Sequence, residues 1–200
     1  MENDKSMVDI GTDHAYLPIY LLTHYNLENI LATDIAKGPL EIADKNIKKA
    51  RLEAKITLLQ SDGLANVNGS YDSLVIAGMG GILIASILER GKDKLPNFKR
   101  IIIEANKDAY EVRKLMTYYG YHITHETMIF DYKYYEVIVF ESGDMGFEYG
   151  DFELKYGPLL LKEKSETFVQ YYTQEINHLK SLNSNHLKDK IAELEKVLNY

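Results

Sequence analysis

A chain of 200 residues, 46% of them hydrophobic, can bury one core of domain size and still carry an appendage. With no cysteine it holds neither a disulfide framework nor thiolate-ligated zinc, and its six histidines show no H-x-x-x-H or H-E-x-x-H spacing, so no metal site is expected. A net charge of −7 speaks against a generic nucleic-acid binder, no apolar run is long enough for a membrane span, and Met1 to Lys5 carries neither a basic nor a hydrophobic leader; a cytoplasmic protein is expected.

Val8 to Ile10 reads as a short apolar strand running into Gly11, where the chain can turn sharply and a ligand can approach the main chain. In an open α/β sheet a nucleotide-type cofactor docks at such a turn. The continuation Thr12-Asp13-His14 is not G-x-G-x-x-G. The second glycine is replaced by Asp13, a carboxylate where a pyrophosphate would sit, which is adverse to NAD or FAD. A cofactor with a positive centre and no phosphate suits it better, and S-adenosylmethionine is the commonest such molecule. Asp13 is equally placed to cap a helix beginning near His14, and both readings stay open at this point.

Tyr16 to Tyr25 has helical spacing, with Leu17 and Leu21 on one face beside Tyr20. Asn29 to Asp34 is a second buried strand, and its closing acid, about twenty residues past the glycine turn, is placed to accept from two ribose hydroxyls. Pro39 to Ala54 is a helix turning Leu40, Ala43, Ile47 and Ala50 inward. The third strand, Ile56 to Gln60, ends in Ser61-Asp62-Gly63, where a polar side chain reaches an adenine amino group. The fourth, Tyr71 to Ala77, runs into Gly78-Met79-Gly80-Gly81, whose glycines suit a ligand lying against the backbone; a tight turn with close helix packing is the structural alternative.

A helix at Ile82 to Arg90, a strand at Arg100 to Glu104, a helix at Asp108 to Tyr119 and strands at Tyr121 to Phe130 and Tyr134 to Glu141 follow, the last two joined by Asp131-Tyr132-Lys133. Alternating βα units closed by a hairpin describe the methyltransferase version of the doubly wound fold: a mostly parallel seven-stranded sheet with one antiparallel strand. After an aromatic and acidic linker, 143–157, Phe168, Tyr172, Ile176 and Leu179 form one apolar stripe and Leu187, Ile191, Leu194 and Leu198 another. Separated by Asn183-Ser184-Asn185, they predict a two-helix coiled-coil hairpin over 158–200 behind a catalytic domain over 1–142; one continuous helix is the alternative. Two basic clusters, Lys45, Lys48, Lys49 and Arg51, then Lys92, Lys94, Lys99 and Arg100, are either an RNA-facing surface or solvated faces.

D-I-G-T-D-H-A-Y-L-P at 9–18, A-T-D-I at 32–35, S-D-G at 61–63, A-G-M-G-G at 77–81, G-Y-x-I at 120–123 and Y-E-V at 135–137, followed by a helical hairpin, together resemble the TrmK family over nearly the whole chain. These are bacterial tRNA (adenine-N1)-methyltransferases acting on adenine 22. The resemblance implies a class I, S-adenosylmethionine-dependent enzyme with a Rossmann-like domain and a coiled-coil domain implicated in tRNA binding. It implies that Gly11, Asp13 and His14 surround the methionine part of the cofactor, Asp34 the ribose and Asp62 the adenine, with Gly78 to Gly81 flooring the transfer pocket. Asp9, Thr12, Ile35, Ser61, Gly63, Ala77, Met79 and Gly80 complete the implied cofactor set. Members usually carry a basic helix before the first strand, whereas this chain reaches Met7-Val8-Asp9 almost at once, which implies a cofactor pocket exposed on one side. They also tend to have Gln-Pro-Asn after the fifth strand, where this chain has Glu104-Ala105-Asn106, so that only Asn106 carries over.

Adenine N1 has an in-plane lone pair and needs no deprotonation, so alignment is the main requirement and can supply roughly 7–11 kcal/mol. The attack makes adenine a cation, and a nearby carboxylate stabilises it. Asp13 is the candidate, supported by His14 or Tyr16; binding of the cofactor's amino group is its other reading. N1 lies on the Watson–Crick edge, so the base must leave the stack, and Met79, the glycines and Tyr16 suit a flipped base. tRNA is the expected partner, and a monomer the expected state. A small-molecule methyltransferase would need no helical appendage, and a non-catalytic cofactor-binding module would use the hairpin to dimerise.

Overall fold

The computed structural model describes residues 4–143 and 148–200; residues 1–3 of the expected leaderless start and 144–147 of the expected linker lie outside them. Seven strands form one sheet in the order β3-β2-β1-β4-β5-β7-β6. They are β1 (Ser6–Ile10), β2 (Asn29–Asp34), β3 (Ile56–Gln60), β4 (Tyr71–Met79), β5 (Phe98–Ala105), β6 (Tyr121–Asp131) and β7 (Lys133–Ser142). All adjacent pairs among β1–β5 run parallel, and β7 runs antiparallel to both β5 and β6. The sheet is therefore mostly parallel with one reversed strand, as the order of elements in the sequence predicts.

Alternation of side chains along β1 divides the interior. Met7 joins Leu21 and Leu22 of α1 (Tyr16–His24) and Ala43 and Ile47 of α2 (Lys37–Ala50) on one face. Val8 and Ile10 face Ile84, Leu88, Val112 and Met116 of α3 (Gly81–Arg90) and α4 (Ala109–Tyr118) on the other. Helix α2 starts two residues before Pro39 and ends at Ala50, because Arg51 adopts a left-handed cap (φ 58°). Of its expected inward face only Ala43 and Ile47 are buried; Ala50 is exposed.

A third core lies beyond β6. Helices α5 (Asp151–Tyr156), α6 (Pro158–Glu163), α7 (Glu166–Ser181) and α8 (Lys188–Asn199) gather Tyr156, Leu160, Leu161, Phe168, Tyr172, Ile176, Leu194 and Val197 onto Met128 of the sheet. The expected linker therefore contains a helix whose last residue, Tyr156, is buried. Both predicted stripes are used, but α7 ends at Ser181, and a 3₁₀ turn at Asn185–Leu187 leads into α8, so one continuous helix does not form. The pair is antiparallel, with Lys164 at the start of α7 donating to the carbonyl of Leu198 near the end of α8 at 3.2 Å.

In the second basic cluster Lys94 and Arg100 are partly buried and engaged within the fold, while Lys92 and Lys99 stay exposed. Lys94 Nζ donates to the carbonyls of Leu64, Ala65 and Val67 at 2.7–2.8 Å. Lys99 pairs with Asp72, whose carboxyl it holds well below the usual range. Arg100 bridges Asp4 and Glu141 at 3.0 and 2.9 Å. Lys94 and Arg100 thus match neither an RNA-facing surface nor a solvated face, because the fold itself takes up their charge.

Candidate active site

Strand β1 is flanked by β2 and β4, and the chain leaves β1 toward β2 before crossing back to β4. The crevice at the carboxyl ends of β1 and β4 is therefore the switch point at which open α/β sheets hold ligands. Two loops meet there. After β1, the amides of Gly11 and Thr12 both donate to the carbonyl of Thr33, at 2.9 and 2.8 Å, which lifts the chain out of the sheet. Gly11, Asp13 and Ala15 are all left-handed, with φ of 76°, 50° and 58°. For the two residues with a Cβ this conformation costs about 1–2 kcal/mol each, strain of the kind that collects at ligand sites.

From β4, Met79 lays its methyl group over Gly11, where an added Cβ would fall 2.1 Å from Met79 Cε. Gly78 is left-handed (φ 76°) and an added Cβ there would meet nothing within 4 Å, so the main chain opens onto free space. Gly81 has a different reason: an added Cβ would lie 2.1 Å from the Asp108 carbonyl oxygen, so its absence lets α3 and α4 close together. Gly80 occupies the N-cap position of α3 in extended conformation. Of the glycines in the cluster, Gly78 thus serves the open site and Gly81 the packing alternative.

Asp34 is fixed from two sides. Its Oδ2 accepts the Asp13 amide at 3.2 Å and its Oδ1 the Ala36 amide at 2.9 Å, so one carboxylate ties the β1 loop to the end of β2. Beside it Ile35 is exposed, its carbonyl held by Gln60 Nε2 at 2.9 Å. The Ser61 amide donates to the Asp34 carbonyl at 3.0 Å, while its buried hydroxyl donates to the Gly63 carbonyl at 2.8 Å. Ser61 therefore shapes the loop and leaves no hydroxyl facing solvent.

Asp13 does not cap α1. The helix begins at Tyr16 with Ala15 in the cap position, no side chain caps it, and the Asp13 carboxylate stays largely exposed. His14 Nε2 lies 3.5 Å from Asp13 Oδ1, and the His14 ring meets Tyr16 edge-on at 5.7 Å. Tyr16 is 68% exposed at this rim. The His14 carbonyl is anchored by Asn46 Nδ2 of α2 at 3.0 Å, a contact for which the sequence offers no signal.

Asp9, buried at the end of β1, has its pKa pushed up to about 6 by desolvation, with the Thr12 hydroxyl opposing and the charge of Asp34 adding to the rise. The folded state thus holds the Asp9 proton more tightly than the unfolded chain, whose carboxyl titrates near 3.8. Stability from this group is fully present below that unfolded value and is lost as pH rises through about 6. Two units correspond to about 3 kcal/mol at 1.36 kcal/mol per unit. Asp9→Asn should therefore gain stability relative to the parent chain between pH 4 and pH 7, as read by urea unfolding; a constant difference across that range would contradict the assignment.

Asp62, expected at the adenine, is half-exposed and paired with Arg90. Both of its oxygens accept from Arg90, at 3.0 and 3.1 Å, which directs the carboxylate toward the last turn of α3. Gly63 is left-handed against Ile87, and Ala77 packs in the core of the α1–α2 face. In exchange the structure supplies Glu104. Its Oε2 accepts the Gly78 amide at 2.6 Å and its Oε1 is buried without a partner. The only sequence signal for it is that this position departs from Gln-Pro-Asn. Asn106 does join the site, its amide donating to the Met79 carbonyl at 2.8 Å and its Oδ1 accepting from Lys133 at 3.1 Å.

The loop from Asp9 to Tyr16 carries acids and no lysine or arginine, and a left-handed backbone without a second glycine. That donor set fits a cationic, phosphate-free cofactor such as S-adenosylmethionine.

A family model described as tRNA (adenine(22)-N(1))-methyltransferase, TrmK, matches residues 7–199. The tRNA (adenine(22)-N(1))-methyltransferase of Bacillus subtilis is 39% identical over 186 residues, covering 90% of this chain and 78% of that one. Sp1610 of Streptococcus pneumoniae, solved in complex with S-adenosyl-L-methionine, superposes with a TM-score of 0.88 at 34% identity over 98% of this chain and 94% of that one. TrmK of M. capricolum, solved with S-adenosyl-homocysteine, gives 0.84 at 28% identity over 100% and 93%. The chain belongs to the TrmK family of tRNA (adenine(22)-N(1))-methyltransferases.

Proposed function

We propose that this chain transfers a methyl group from S-adenosylmethionine to N1 of adenine 22 in tRNA. The observation that supports this best is the switch-point crevice, with Gly11 packed under Met79 and Asp34 fixed beside them, in a chain matched by the family over residues 7–199. S-adenosylmethionine supplies a methyl group activated on a sulfonium.

The remaining work falls to the chain's own groups. Asp34, with one lone pair on each oxygen still free, accepts the ribose hydroxyls, and Ile35 covers an adenine face. The exposed Asp13 carboxylate receives the cofactor's amino group and counters the positive charge that develops on the target base. His14 and Tyr16 hold it in place, and Tyr16 offers a ring to the flipped adenine. No general base is needed, because N1 attacks with a lone pair it already has; alignment is the larger contribution. Residues 1–142 form the catalytic domain, 143–157 the connection and 158–200 the helical domain that engages tRNA. The protein acts as a monomer in the cytoplasm; among the described residues no helix is long and apolar enough to cross a membrane.

Incubation with unmodified tRNA and methyl-labelled S-adenosylmethionine, followed by nucleoside digestion, should yield labelled N1-methyladenosine. Label entering small molecules of a cell extract and not tRNA would support the small-molecule reading instead.

A further inference from the structure

We infer that the tip of the β6–β7 hairpin, Tyr132 with its neighbour Phe130, is a stacking platform for a nucleobase of the RNA substrate beside the methylated adenine; this rests on the proposed tRNA activity. The tip is a tight reversal in which Asp131 pairs with Lys133 and Tyr132 alone projects, at φ 57° and 97% exposed. Turn geometry explains the left-handed backbone, but it favours glycine, asparagine or aspartate there, not a ring that packs against nothing. A tyrosine that contributes no burial and sits in a disfavoured conformation is retained for something outside the fold. Phe130, two residues earlier on β6, is a second exposed ring, at 59%.

The position of the tip identifies the partner. Lys133 is held by Asn106 Oδ1 at 3.1 Å and lies 4.7 Å above the Tyr135 ring, and the Asn106 amide reaches the Met79 carbonyl. The tip that carries Tyr132 is thus tied through Lys133 and Asn106 to Met79, beside the transfer pocket. On the other side Phe130 meets Tyr134 at 4.8 Å, and Tyr134 meets Tyr171 of α7 at 4.8 Å, so an aromatic strip runs from the tip to the helical region. Removing one base from a stack exposes the faces of its neighbours, and an aromatic ring is sequence-tolerant cover for such a face. Asp131 beside the ring disfavours phosphate there, so the contact is stacking and not charge neutralisation.

The test is Tyr132→Gly and Tyr132→Phe in the full chain, with direct tRNA binding, S-adenosylmethionine binding and thermal unfolding measured on each. Glycine relieves the left-handed backbone, so Tyr132→Gly should melt no lower than the parent chain while binding tRNA about five- to a hundredfold more weakly, the range of one base–aromatic stack. Cofactor affinity and the salt dependence of tRNA binding should not change, because no phosphate contact is lost. Tyr132→Phe should bind tRNA within about twofold of the parent. Equal tRNA affinity in Tyr132→Gly and the parent overturns the inference. If the parent transfers no methyl group to tRNA, yet Tyr132→Gly still loses tRNA affinity, the activity reading fails and the platform stands.

Discussion

Replacing Arg113 by alanine is expected to destabilise the protein by about 3–5 kcal/mol, the penalty for breaking a buried ion network from one side. Arg113 is wholly buried on α4. Its Nε donates to Glu126 of β6 at 2.7 Å and its Nη2 to Glu136 of β7 at 2.6 Å. The second oxygen of Glu126 accepts the amides of Leu159 and Leu160 at the start of α6, at 2.8 and 3.3 Å. One arginine therefore joins the sheet, α4 and the helical region. Burial alone would lower its pKa, but Glu136 and Glu126 hold it raised, and the guanidinium stays charged. Without it the buried Glu126 carboxylate and the partly buried Glu136 carboxylate lose the counter-charge they share. Protonation relieves the repulsion between the two carboxylates, so urea unfolding should show a larger defect at pH 8 than at pH 5. A defect below about 1 kcal/mol, or one independent of pH, would mean that the network is not holding the helical region to the sheet.

Asp34→Ala should leave the fold nearly intact and remove cofactor binding. Asp34 is at the protein surface, so few packing contacts are lost, but its carboxylate fixes the Asp13 and Ala36 amides. Hydrogen bonds to a charged group contribute about 1.5–3 kcal/mol each. Losing the two expected from the ribose hydroxyls should raise the dissociation constant for S-adenosylmethionine by about two to four orders of magnitude, as read by calorimetry. Asp62→Ala is the useful comparison. Since Asp62 is engaged by Arg90, its loss should weaken binding far less than loss of Asp34. Equal effects of the two substitutions would show that Asp62 turns from Arg90 to the cofactor.

The architecture was legible because β1 and β2 are short apolar runs that end at a turn residue, as at Gly11 and Asp34. The hairpin after α4 marked the reversed strand. Spacing placed the apolar stripe of α7 correctly, since an amphipathic helix needs only one partner face. What spacing could not show is that this face rests on Met128 of β6 and that Tyr156 of the expected linker is part of the same core. Charges were the least legible. Lys94, Lys99 and Arg100 read as a surface cluster until the chain folds and brings Val67, Asp72 and Asp4 to them. The same limit hid Asn46, Glu104 and Lys133, each of which reaches the site only through tertiary placement. Asp13 does not act as a cap, because the left-handed turn at Asp13 and Ala15 delays the helix to Tyr16.

The position of the methyl group on tRNA separates this activity from other methyl transfers. tRNA transcripts with and without adenine at position 22, incubated with the protein and S-adenosylmethionine, can be read by reverse transcription, which stops at N1-methyladenosine. Methyl transfer to N1 of adenine 22 should give a stop at position 22 on the first transcript and none on the second. A stop elsewhere, or none despite demonstrated cofactor binding, would contradict it.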